Sequence, residues 1–139
     1  MAQAESKSSG ADARPLSPHL QVYSPLINMV MSILHRLTGA ALYFGTLILV
    51  VWLLAAATGR GNYDLVTGLM KTIPGLVVMA GYTWALMHHA LGGIRHFIWD
   101  TGRGFEIGAV NLLSWSTMIG SVLITGGLWA LVFKLRGVF

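Results

Sequence analysis

Four of the five histidines in this sequence fall where an ionisable side chain is least at ease. His35, His88, His89 and His96 lie in or beside long apolar stretches, and the cost of placing such groups there marks a site by default. In the second stretch His89, Gly92, Gly93 and His96 follow i, i+3, i+4, i+7 spacing. On a helix, that stripe presents an imidazole, a groove without side chains and a second imidazole. A flat macrocycle can lie against such a groove, and imidazole is a standard axial ligand of haem iron. His88 stands about 100° from His89 around the helix, so the two cannot serve one iron from the same face. His89, which shares the glycine stripe, is the better candidate, and a second axial ligand would have to come from another chain. The competing explanation is packing, with histidines bonded to neighbouring helices and glycines admitting close backbones.

The first apolar stretch carries a second stripe, Ser32, His35, Arg36, Gly39 and Tyr43, with its charged member near one end. A quinone headgroup offers two carbonyl acceptors and needs protons when reduced, so a hydroxyl, an imidazole and a guanidinium suit it chemically. The alternative is that Arg36 snorkels to lipid phosphate, Ser32 bonds its own helix backbone and His35 meets a neighbouring chain. Asp100 is expected to neutralise Arg95 or Arg103 in an ordinary surface pairing of small energy.

These residues need long helices to hold them. Of 139 residues, 55% are hydrophobic and 10% charged, a balance far from that of a soluble domain and pointing to lipid as the solvent. No Asp, Glu, Lys or Arg occurs in 37–59, 72–94 or 107–133, and each run exceeds the roughly 20 residues needed to cross a bilayer. Leu42 to Ala57 is apolar at nearly every position rather than alternating, which argues against a β-barrel and leaves helices as the plausible spanning element. The absence of cysteine excludes disulfides and any iron–sulfur cluster held by this chain's thiolates. The net charge of +4 is scattered, which argues against nucleic acid as a partner.

Residues 1–13 read as a disordered polar tail, and 14–139 as a single membrane domain. Within it, 14–25, with three prolines, reads as a surface segment, followed by transmembrane helices at about 28–57, 73–99 and 109–133. Gly59 to Asn62 is a turn-forming cluster that ends the first helix, and Pro74 suits the first turn of the second. Five basic residues on the N-terminal side and the second loop face four opposite, a small bias toward a cytoplasmic N-terminus. The expected fold class is an all-α integral membrane protein. Its three-transmembrane-helix bundle would be completed by helices of a partner anchor subunit, because three helices alone bury little polar surface.

Three blocks, RPLSPHL at 14–20, SILHRLTG at 32–39 and HHALGGIRHFIWD at 88–100, resemble the cytochrome b subunits that anchor succinate dehydrogenase, respiratory complex II, in the membrane. The resemblance, with matching helix order, covers nearly everything after the tail. It implies that His89 is an axial ligand of a haem b whose other histidine comes from a second, smaller membrane-anchor subunit. It also implies that Ser32 and Arg36 line a ubiquinone site, with His35, His96 and Asp100 near the haem propionates or the quinone. By the same resemblance the iron–sulfur subunit contributes to that site. Succinate is oxidised at a flavin on the flavoprotein subunit, so no residue here is catalytic for succinate oxidation. The tail differs from a mitochondrial leader, which favours a bacterial inner membrane. Rival readings are a plain tether for soluble subunits, a small transporter, and an anchor working in the direction of fumarate reduction.

Overall fold

The computed structural model describes residue 19 and residues 23–136; the polar tail 1–13 and most of the segment 14–25 lie outside the described residues. The rest is helical: α1 (Ile27–Thr58), α2 (Arg60–Met70), α3 (Ile73–Asp100) and α4 (Ile107–Leu135). α1 starts behind Pro25, with extended Leu26 at its N-cap and no side chain capping its first amides. It ends at Gly59, whose φ of 129° belongs to a region that side chains rarely enter. The turn expected there is a single residue, and the chain winds at once into α2, an element absent from the sequence reading. Trp52 and Tyr63, with ring centroids 6.1 Å apart, fold α2 back toward α1, and Asn62 Nδ2 donates to Thr58 Oγ1 at 3.0 Å.

α3 opens with a capped turn: the Thr72 hydroxyl accepts from the Gly75 amide at 3.3 Å, and Pro74 occupies the first turn. It closes at Thr101, after which Gly102 and Gly104 take positive φ and the chain reverses within six residues into α4. The Trp99 indole N–H donates to the Gly104 carbonyl at 3.0 Å and fastens that reversal to α3. α3 packs against both α1 and α4, which brings His35 of the first stripe against His89 and His96 of the second.

Burial runs opposite to that of a soluble protein. The buried apolar residues are Met31, Ala55 and Ala85, whereas Thr38, His88, Arg95, Ser114, Thr117 and Ser121 are buried polar residues. Leucines, isoleucines and valines of α1 and α4 cover the outside. In water so continuous an apolar surface would be untenable, but in hydrocarbon it is the side that belongs outside. α1 and α4 are each long and apolar enough to cross a membrane, while α2 and α3, bent by 81° at their junction, pass that test only as a pair. Two histidines and then Arg95 and His96 dilute the apolar character of α3. The chain is thus all-helical with two or three candidate spans.

Candidate quinone and haem site

Near the N-terminal end of α1 and the C-terminal end of α3, a cavity of about 330 Å³ is lined by Asn28, Ser32, His35, Arg36, Arg95, His96 and Trp99. Asn28, Ser32 and Arg36 are spaced four apart and so share one face of α1; Arg95, His96 and Trp99 come from the last two turns of α3. The cavity therefore joins the two stripes. Its lining holds two guanidinium groups, two imidazoles, an amide, a hydroxyl and an indole, with no carboxylate. Such a wall donates hydrogen bonds more readily than it accepts them.

Immediately beside the cavity the His35 and His89 rings lie face to face, centroids 4.0 Å apart and planes within 6°. His96 meets His35 at 5.2 Å, tilted. The His89 Nδ1 stands 3.1 Å from the His35 carbonyl oxygen. A carbonyl can only accept, so His89 carries its proton on Nδ1 and keeps its lone pair on Nε2. The Thr38 hydroxyl donates to the carbonyls of Leu34 and His35 at 2.8 and 3.0 Å and lies 3.4 Å from the same Nδ1. A metal-ligating imidazole is held in this way, its second nitrogen bonded to a carbonyl that fixes tautomer and ring plane. Gly39 makes the approach possible, because a Cβ there would stand 3.0 Å from His89 Cε1. The donor set thus fits haem iron at His89 Nε2. Rings stacked face to face could not reach one iron end-on from opposite sides, so His35 does not suit sharing an iron with His89.

The structure departs from the sequence reading at three points. The groove on α3 is filled from within the chain at Gly92, where a Cβ would run into the His35 ring; beside Gly93 a Cβ meets nothing within 4 Å. Asp100 is exposed at the end of α3 and lies off the cavity lining. It pairs with neither Arg95 nor Arg103; Arg60 with Asp64, at 3.9 Å, is the ion pair found among the described residues. Arg95 instead turns inward, 3% exposed, donating from Nη1 to Ser114 Oγ at 3.3 Å and placing Cζ 5.0 Å from the centre of the Trp99 ring. Neighbouring His88 is fully buried against Trp84, and neither of its ring nitrogens has a partner among the described residues.

Asn28, Thr38, Arg95, Trp99 and Ser114 join the site without having been singled out for it. Asn28 extends the stripe of Ser32 and Arg36 by one turn, and Arg95 shares the face of His88, seven residues earlier, so both signals were present in the spacing. Ser114, Thr117 and Ser121 recur along one face of α4 and are all buried, a polar periodicity hidden by the apolar average of that helix.

A family model described as succinate dehydrogenase/fumarate reductase transmembrane subunit matches residues 11–133. The chain is 43% identical over 116 residues to the succinate dehydrogenase cytochrome b556 subunit of Rickettsia bellii, covering 84% of this chain and 90% of that one. It is 39% identical over 111 residues to the protein of the same name from Paracoccus denitrificans, covering 80% and 85%. With the mitochondrial succinate dehydrogenase cytochrome b560 subunit of Mus musculus it shares 36% over 130 residues, 90% of this chain and 75% of that one. Together with apolar helices built around a polar interior, these matches establish that the chain belongs to the succinate dehydrogenase/fumarate reductase transmembrane subunit family.

Proposed function

We propose that the chain is the cytochrome b membrane anchor of a succinate:quinone oxidoreductase, holding haem b with a second anchor subunit and forming part of the site where ubiquinone is reduced. The observation that carries this reading is the cavity lined by Ser32, His35, Arg36, Arg95 and His96, placed beside an imidazole whose Nδ1 is already committed to a backbone carbonyl. A quinone presents acceptors, and this wall presents donors. Ser32 and Arg36 orient the headgroup through its carbonyl oxygens. His35 and His96 are placed to pass protons, two of which must accompany two electrons when quinone becomes quinol. Those electrons derive from succinate oxidised to fumarate on the flavoprotein subunit and arrive through the iron–sulfur subunit. Haem b, when bound, supplies a one-electron centre beside this site, and His89 Nε2 is the nitrogen that would hold its iron.

In this assembly α1, α3 and α4 each span the membrane as a bundle completed by helices of the second anchor, residues 14–139 form one membrane domain behind the polar tail 1–13, and the cavity opens toward the soluble subunits. The bacterial relatives and the small charge bias support the inner membrane with the N-terminus in the cytoplasm. Asp100, at the exposed end of α3 one turn beyond His96, belongs to the proposed surroundings of the haem propionates and quinone.

The test uses the whole co-purified complex at equal subunit content. His89→Ala is expected to abolish the b-type signal in a dithionite-reduced-minus-oxidised spectrum, and a retained signal would remove His89 as the ligand. Arg36→Ala is expected to lower succinate:quinone activity at least tenfold while leaving succinate oxidation by a soluble dye within about twofold, as loss of a charge-assisted hydrogen bond to the headgroup predicts. Equal losses in both assays would mean failed assembly rather than a damaged quinone site.

A further inference from the structure

Arg95 is the least accessible cation of the described chain. It is 3% exposed, its Nε is buried without a partner among the described residues, Nη1 is held by an uncharged serine hydroxyl, and Cζ stands over the Trp99 ring. No carboxylate within ion-pair distance balances it among the described residues. A buried charge left uncompensated is expensive, and the cost is recovered only where an opposite charge appears. Arg95 reaches the cavity that Ser32, His35, Arg36 and His96 also line, so negative charge gathering there is placed to balance it. Arg36, by contrast, lines the same cavity but is exposed on the outside of the chain.

We infer that Arg95 is the electrostatic residue of the quinone cavity, a buried guanidinium set by Ser114 and Trp99 so that its charge stabilises the negative charge that quinone oxygens gain as electrons reach them. The inference rests on the quinone-site reading and adds to it the residue that acts on the reduced headgroup rather than on the neutral one. A neutral quinone gains little from a nearby cation and a charged one gains much, so the contribution falls on turnover more than on binding.

The experiment compares Arg95→Gln and Arg95→Lys in the assembled complex, with a short-chain ubiquinone as acceptor and a soluble dye as control. Arg95→Gln is expected to lower kcat for quinone at least tenfold with KM within about threefold and the dye rate unchanged. Arg95→Lys, which keeps the charge and loses the fork and the stacking, is expected to recover a substantial part of kcat. An unchanged kcat in Arg95→Gln, or Arg95→Lys no better than Arg95→Gln, overturns the inference. Failure of both variants to assemble also overturns it, because Arg95 would then serve packing. Arg36→Ala separates the two levels of the argument. Loss of quinone reduction in Arg36→Ala without loss in Arg95→Gln removes this inference alone, whereas no loss in either removes the quinone cavity itself.

Discussion

Adjacent histidines on α3 have opposite surroundings, and that difference sets what each can do. His89 lies half-buried against α1, with one nitrogen bonded to a carbonyl and the other left to donate a lone pair. His88 is fully buried against Trp84, one turn earlier on α3, with both nitrogens unpartnered among the described residues. Burying an unsatisfied polar group costs about 1–3 kcal/mol, and an apolar group of similar shape removes that cost. His88→Leu is therefore expected to leave the b-type haem signal and subunit content of the complex intact and to hold or raise its thermal midpoint. Loss of the haem signal in His88→Leu would show that this buried imidazole matters to the cofactor. The sequence placed both histidines in the membrane and chose between them by the glycine stripe, which selected the residue whose geometry suits a ligand. The reason differs in part, since Gly39 on α1 admits the His89 ring and Gly92 admits His35.

At the scale of elements, the site depends on how closely α1 and α3 cross. Position 92 takes the His35 ring and position 39 takes the His89 ring, two interlocked contacts that put the rings in parallel. Gly92→Ala puts a methyl into the His35 ring, a shape change of the kind that costs about 1–3 kcal/mol in a packed interior. It is expected to lower the thermal midpoint of the complex and its haem content together. Gly126→Ala, where the added Cβ meets nothing within 4 Å, is expected to change neither. Equal behaviour of the two variants would contradict the interlocked crossing. The helical character of the apolar stretches was legible because only helices and closed barrels satisfy the backbone in lipid, and a continuous apolar run does not fit a barrel strand. α2 was not legible, since Gly59, Gly61 and Asn62 carry a turn signal and only Gly59 is used as one. Arg95 was misassigned for a comparable reason: sequence proximity to Asp100 suggested a surface pair, while Ser114, a residue on another helix, decides where the guanidinium goes.

For the whole molecule, the topology turns on α3, which either crosses the bilayer beside α1 and α4 or enters and leaves on one side with α2. Its 28 residues, at about 1.5 Å each, measure ~42 Å and exceed a hydrocarbon core of about 30 Å. The 81° bend at the α2–α3 junction then lets α2 lie along the membrane surface while α3 runs through. If all three long helices span, Asn62 and Thr101 face opposite sides and the C-terminus lies opposite the start of α1. If α2 and α3 form a re-entrant pair, both residues face the same side. The chain has no cysteine, so single substitutions Asn62→Cys and Thr101→Cys, both exposed, report without background. An impermeant maleimide applied to right-side-out and inverted vesicles is expected to label Thr101→Cys from the cytoplasmic face and Asn62→Cys from the other. That outcome keeps the cavity, formed where α1 begins and α3 ends, at the face proposed to meet the soluble subunits. Labelling of both positions from one side would place α3 in a re-entrant loop and separate the start of α1 from the end of α3 by the thickness of the membrane. The packing of His35 on His89 does not permit that separation, so the labelling experiment tests the topology and the site at once.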